Sequence, residues 1–225
     1  MAQDSDSKRI AELEADNRRL RRLLDQRDAP GELRHRLRGT LATLRTIIRK
    51  SAETERDLDA YVGHLEDRLE ALARAQTAAD ETGVVELHQL FADELLHYEV
   101  RENEQASVGG PKVLLRPRAG QVLALAIHEL AVNAVEHGTL ATGGQVDIRW
   151  EIAADEMDAL LTIRWTEVGS IEVVDARRAG FGAEVLTRMV AYELEASTDV
   201  DFSPDGLRYT LRFPLNKYIG EVDRD

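Results

Sequence analysis

Apolar side chains fall in two rhythms along this chain, and the change of rhythm near residue 80 divides it. Ile10, Leu13, Asn17, Leu20 and Leu24 are spaced 3, 4, 3 and 4 residues apart, the a/d rhythm of a short heptad helix. A polar Asn17 at an a position favours a parallel two-stranded pairing, because only one register lets the two amides meet. The same residues also suit a solvated charged helix. Asp28-Ala-Pro-Gly31 then breaks the helix. Leu33, Leu37, Leu41, Leu44 and Ile48 resume an amphipathic stripe, the polar run 51–57 interrupts it, and Leu58, Val62, Leu65, Leu69 and Leu72 form a second stripe. Two such helices make an antiparallel hairpin. One hairpin leaves apolar surface uncovered, whereas two hairpins close a four-helix bundle, so the pattern predicts a homodimer.

Beyond about residue 82 the elements alternate. Helices are expected over 84–98, 119–137 and 182–194, with Gly138 standing where the second should end. A short strand is expected at 113–115, and the apolar/polar alternation of 146–152 and 160–165 reads as half-buried strands. Residues 199–202 and 207–213 flank Ser203-Pro-Asp-Gly206 and read as a hairpin. Helices on one face of a mixed sheet, preceded by a coiled coil and a helical hairpin, give an α+β chain. Its expected parts are a coiled coil over 1–28, a helical hairpin over 29–80, an α/β sandwich over 81–220 and an acidic tail over 221–225.

Composition narrows the function classes. The 225 residues are 43% hydrophobic and 32% charged, which fits a folded chain, and aromatics are only 5%, so the core must be aliphatic. With no Cys there is no disulfide, thiolate metal site or cysteine nucleophile. Residues 1–80 carry 16 Lys/Arg against 16 Asp/Glu, so the whole net charge of −13 falls on 81–225. An acidic domain lacks the basic footprint that nucleic acid or an anionic membrane demands. The start MAQDSDSKRI has no apolar signal region, and the longest aliphatic run, Val122 to Ile127, is too short to span a bilayer. A cytoplasmic location is therefore expected.

Four constellations could carry chemistry. His35 lies two residues from both Leu33 and Leu37, about 200° round the helix from each, and so is expected to face solvent with Arg36 and Arg38 beside it. Neighbouring cations favour a neutral imidazole, whose free nitrogen is a nucleophile. The helix HELAVNAVEHG (128–138) sets His128, Glu129, Asn133 and Glu136 at spacings that partly share a face. Carboxylate and amide oxygens there suit Mg²⁺ shared with phosphates, and equally suit a polar seam against a strand. Arg177-Arg-Ala-Gly-Phe-Gly182 lies at an expected helix start, where glycines let backbone N–H groups approach phosphate. Trp165-Thr-Glu-Val-Gly169 closes a strand with a carboxylate able to accept a hydrogen bond from an amine.

Taken in order, ELRHRLRGTLATL, GPKVLLRP, HELAVNAVEHG, WTEVG, GFGAEVL and RYTLRFP resemble the HWE family of bacterial sensor histidine kinases. The family's N-box histidine and W-x-E motif correspond here to His128 and to Trp165 with Glu167. The resemblance runs from about residue 32 to 215. It implies a dimerisation and phosphotransfer hairpin with His35 as phospho-acceptor, followed by an ATP-binding domain of the Bergerat (GHKL) type. It further implies that Asn133 binds Mg²⁺, that Glu129 positions the ion or its water, and that His128 supports this site. Trp165 and Glu167 would serve the adenine pocket, with Glu167 reading the amine and Gly169 lining the base. Gly180 and Gly182 would shape a short cover over the phosphates, with Arg178 a phosphate contact. The cofactors implied are ATP and Mg²⁺. The partners are a response regulator receiver domain, a second copy of the chain, and an upstream sensor protein acting through the coiled coil.

Three departures from the family pattern stand out. Gly39 replaces an Asn after the acceptor histidine, Ser170 replaces the second glycine of W-x-E-x-G-G, and Glu136 replaces the N-box Lys. A unit charge about 5 Å from the phosphates is worth roughly 3 kcal/mol at an effective dielectric of 20. Its reversal motivates an alternative, an ATP-binding-impaired phosphotransfer or regulator-binding protein on a kinase fold. A coiled-coil scaffold accounts for the first 80 residues alone.

Overall fold

A computed structural model describes residues 31–52, 58–154, 159–169, 181–203 and 206–223. The expected heptad over 1–28 lies outside these residues. The chain divides into two compact units, Met1–Glu53 and Thr54–Asp225. The first contains α1 (Gly31–Ala52), on which Leu41 and Ile47 are buried.

The second unit begins with α2 (Leu58–Thr82), followed by β1 (Val85–Glu86) and α3 (Leu87–His97). The short strands β2 (Ala106–Gly109) and β3 (Val113–Leu115) precede α4 (Pro117–Glu136). After a 3-10 turn (Thr139–Thr142) come the long strands β4 (Gln145–Ala154) and β5 (Ala159–Val168). α5 (Phe181–Glu184) continues through a π-helical turn (Val185–Met189) into α6 (Val190–Glu193). The chain then forms β6 (Ser197–Ser203), β7 (Gly206–Leu215) and β8 (Gly220–Val222).

The main sheet has the order β2-β4-β5-β7-β6, with β2 parallel to β4 and the other pairs antiparallel. Alternation along its strands creates two unlike faces. Ile148, Ile163, Trp165, Tyr209, Leu211 and Phe213 are buried on the inner face, while Arg149, Arg164, Arg208 and Arg212 stand exposed on the outer. A mixed sheet with helices over one face is the sandwich its periodicity predicts. A second sheet, β1-β3-β8, is wholly antiparallel. Glu221 and Val222, at the start of the segment expected as an acidic tail, form its β8 edge.

Pro117 opens α4 at the first helical position, where its missing N–H costs no hydrogen bond. From Ala119 to Val132 every residue of α4 is buried, so it is covered on all sides. α2 supplies one of those sides. The expected stripe on α2 holds only in part: Leu65 and Leu72 are buried, whereas Val62 and Leu69 are half-exposed. The buried face instead runs through Arg68, Ala71, Ala75 and Ala79. Alanines let the two helices approach closely, and a close approach buries their faces more completely than the larger side chains alongside. A hydrogen bond from Tyr209 Oη to the Leu186 carbonyl (2.8 Å) ties the π-helical turn to β7.

Candidate functional site

α4 delivers three candidate residues within two turns. His128 is 1% exposed and faces α3: its Nδ1 lies 2.8 Å from Glu94 Oε1 and 3.3 Å from Tyr98 Oη. Glu94 is also buried, and its other oxygen pairs with Arg74 Nη2 of α2 at 2.5 Å. Burial pushes the Glu94 carboxyl up, but the hydrogen bond and charge of His128, with Arg74, outweigh it and hold the group below the usual carboxylate range. Glu94 thus joins α2, α3 and α4 through one carboxylate.

One residue on, Glu129 is 4% exposed and held by Arg68 of α2, with Nε to Oε1 at 2.5 Å and Nη2 to Oε2 at 3.1 Å. Phe181, the first residue of α5, lies under the guanidinium, 4.1 Å from its ring centroid to Cζ. Gly182 follows; a Cβ there would stand 2.6 Å from Glu129 Oε2, so the absence of a side chain admits this close approach. Asn133 is one turn further along α4, half-exposed, and its side-chain amide makes no hydrogen bond among the described residues. Glu136 is exposed, 3.5 Å from His137 Nε2.

The second cluster forms where β5 meets the turn after α4. Trp165 and Glu167 point inward from β5 and are both buried. Glu167 Oε2 accepts the Thr139 backbone N–H at 2.9 Å, and Trp165 Nε1 lies 3.5 Å from Oε1. Burial pushes the Glu167 carboxyl up; the bonds from Thr139 and Trp165 offset that only in part. Gly138 sits against this carboxylate, and a side chain there would also meet the Ala134 Cα at 2.7 Å. Gly169 packs against Thr139 and Gly144, with 3.2 Å from its would-be Cβ to the Thr139 Cβ. Gly206, at φ +129°, brings the β6–β7 turn against the backbone of Glu167.

Gly138 connects the two clusters. A Cβ at Gly138 would stand 3.0 Å from the Asn133 carbonyl and press against the Glu167 carboxylate, so α4 and the end of β5 converge there. Asn133, whose amide oxygen is unengaged among the described residues, fits a hard cation such as Mg²⁺. Glu129 fits one only with Arg68 withdrawn, since both its oxygens are engaged.

His35 falls on α1, but its side chain lies outside the described residues, as do Ser170, Arg177, Arg178 and Gly180. Sequence reasoning missed Arg68, Glu94, Tyr98, Thr139 and Gly206. The signals for two of them were present: Arg68 stands three residues after Leu65, at the edge of an apolar stripe, and Glu94 interrupts an otherwise apolar helix face. Neither signal names a partner.

This arrangement is the fold of a histidine kinase domain. The structure superposes on the histidine kinase domain of the Erythrobacter litoralis EL346 blue-light activated histidine kinase with a TM-score of 0.55 at 16% identity, covering 94% of this chain and 96% of that one. A longer structure of the same kinase matches with a TM-score of 0.57 at 20% identity, over 83% of this chain and 62% of that one. Residues 32–112 match the family model described as HWE histidine kinase. That match covers about a third of the chain, and the chain as a whole is similar to curated histidine kinases. It is 34% identical over 200 residues to blue-light-activated histidine kinase 1 of Erythrobacter litoralis, covering 85% of this chain and 54% of that protein. The blue-light-activated histidine kinase of Brucella ovis is 29% identical over 191 residues, 84% of this chain and 39% of that protein. The chain thus spans about half the length of the first relative and less of the second. Among the described residues, no helix is long and apolar enough to cross a membrane.

Proposed function

We propose that the chain is a cytoplasmic two-component histidine kinase that uses Mg-ATP to phosphorylate His35 and passes the phosphoryl group to an Asp of a response regulator receiver domain. The active form is a homodimer, paired through the helical hairpin and the heptad, which also receives an upstream sensor protein. The observation that supports this reading is Asn133: half-exposed next to the buried run 119–132, one turn from Glu129, with a side-chain amide that makes no hydrogen bond among the described residues. Bound Mg-ATP supplies the phosphoryl group. Asn133 would hold the ion, Glu129 would orient it or its water, and buried Glu167, with Trp165 and Gly169, would read the adenine amine. Gly180, Gly182 and Arg178 attend the phosphates. Such transfer depends on positioning and charge stabilisation more than on covalent participation.

The test is incubation with γ-labelled Mg-ATP beside His35→Gln. Acid-labile, base-stable label that requires His35 is expected; label that persists in the variant excludes His35 as acceptor. Glu136, acidic where the family pattern that the sequence resembles has Lys, favours a second reading: a phosphotransfer or regulator-binding protein with an impaired nucleotide site. Absence of Mg-ATP binding by a folded dimer would select that reading.

A further inference from the structure

Glu129 is a residue the proposed nucleotide site needs, and it is already occupied. Arg68 covers both carboxylate oxygens in fork geometry, at 2.5 and 3.1 Å, and the two side chains are 6% and 5% exposed. Phe181 closes the far side of the guanidinium at 4.1 Å, and Gly182 lets the start of α5 reach Glu129. Three elements, α2, α4 and α5, therefore meet on one ion pair. Packing alone does not call for this: a buried ion pair is often matched or surpassed in stability by apolar side chains of similar volume. Its electrostatic effect is definite. A guanidinium against the carboxylate cancels the negative charge that draws a divalent cation, and it fills the space that the ion or its water would take.

We propose that Arg68 is an internal inhibitor of the nucleotide site. With α2 docked on α4, Arg68 stands in for the cation at Glu129, and Mg-nucleotide binds only as Arg68 withdraws. This rests on the reading of Glu129 and Asn133 as a nucleotide-metal site. The coupling is reciprocal: whatever lifts α2 raises nucleotide affinity, and bound nucleotide loosens α2 by the same free energy.

The test uses the full chain, with Mg-ADP as a non-reacting probe, in titration calorimetry on wild type, Arg68→Met and Arg68→Lys. Arg68→Met is expected to bind Mg-ADP at least tenfold more tightly, and Arg68→Lys to fall between, since Lys keeps the charge but loses the fork. Without nucleotide, amide exchange over 65–72 and 181–186 is expected to quicken in both variants. A folded Arg68→Met that binds Mg-ADP as wild type does, or more weakly, overturns the proposal. Should Arg68→Met not fold, Arg68→Lys decides in the same way: tighter binding supports the inhibitor, equal or weaker binding rejects it. If no protein binds Mg-ADP, the nucleotide reading itself falls and the inhibitor with it; quickened exchange then leaves Arg68 a structural clasp.

Discussion

His128 Nδ1 and Glu94 Oε1 meet at 2.8 Å inside the protein, with both residues 3% exposed or less. The first residue of the HELAVNAVEHG helix therefore faces α3, away from the surface where Asn133 is half-exposed. Its contact ties α4 to α3 and so fixes the rotation of α4, on which the directions of Glu129 and Asn133 depend. Arg74 extends the link to α2. A single carboxylate thus sets the mutual orientation of three helices.

Glu94→Gln should therefore be costly. Removing one member of a buried ionic network leaves the others uncompensated, at about 3 kcal/mol or more. The folded Glu94 carboxyl lies below its unfolded value, so its contribution is complete above the ordinary carboxylate range and lost as pH falls through the folded value. Urea unfolding at neutral pH should show the full deficit. The gap to wild type should narrow as pH falls through the carboxylate range, and a gap that stays constant down to about pH 3 would exclude this account.

Glu167 has the opposite sign. Burial raises its carboxyl, so the ionised group costs stability above its folded pKa, and that cost is relieved as pH falls. Glu167→Gln keeps an oxygen for the Thr139 N–H and removes the charge. Its stability should equal or exceed that of wild type by up to about 1 kcal/mol at neutral pH. On the proposed reading of Glu167 as the acceptor for the adenine amine, Mg-ATP affinity should nevertheless fall tenfold or more, because the amine loses an anionic partner. Melting curves together with calorimetry separate the two effects.

Gly206→Ala tests how the β6–β7 turn supports the backbone of Glu167. The residue sits at φ +129°, and a Cβ would stand 2.9 Å from the Glu167 carbonyl carbon, a backbone atom that cannot swing aside. A loss of about 1–3 kcal/mol is expected. Wild-type melting behaviour in Gly206→Ala would contradict the close approach.

Glu136→Lys should tighten Mg-ATP binding. Glu136 is exposed, with His137 as its near neighbour. Its repulsion of phosphate is therefore screened, and a gain of severalfold is expected, shrinking as salt shortens the Debye length. Titrations at low and high ionic strength check both the sign and the salt dependence. Weaker binding in the variant would show that Glu136 contributes a contact of its own.

Elements with a long, regular period were legible in the chain. α4, β4, β5 and β7 follow their expected ranges because each repeats an apolar spacing over several residues. The short strands β1, β2 and β8 escaped, because two to four residues give period-two alternation too few repeats: Val85 and Glu86 fall inside the helix expected over 84–98, which starts only at Leu87, and β2 and β8 read as loop or tail. The motif residues Asn133, Glu167 and Gly182 were legible by type and order.

The sequence by itself determined which residues could do chemistry, because side-chain type and helical or strand period are local properties of the chain. Only the tertiary structure decided what those residues touch. Arg68 and Glu129 are 61 residues apart, and Thr139 and Glu167 are 28 apart. No local period encodes either pairing. They exist because the small side chains of Ala71, Ala75 and Ala79 let α2 settle on α4, and because Gly138 lets the end of β5 come against the turn. Close packing converts distant positions into neighbours, and it commits Glu129 to Arg68.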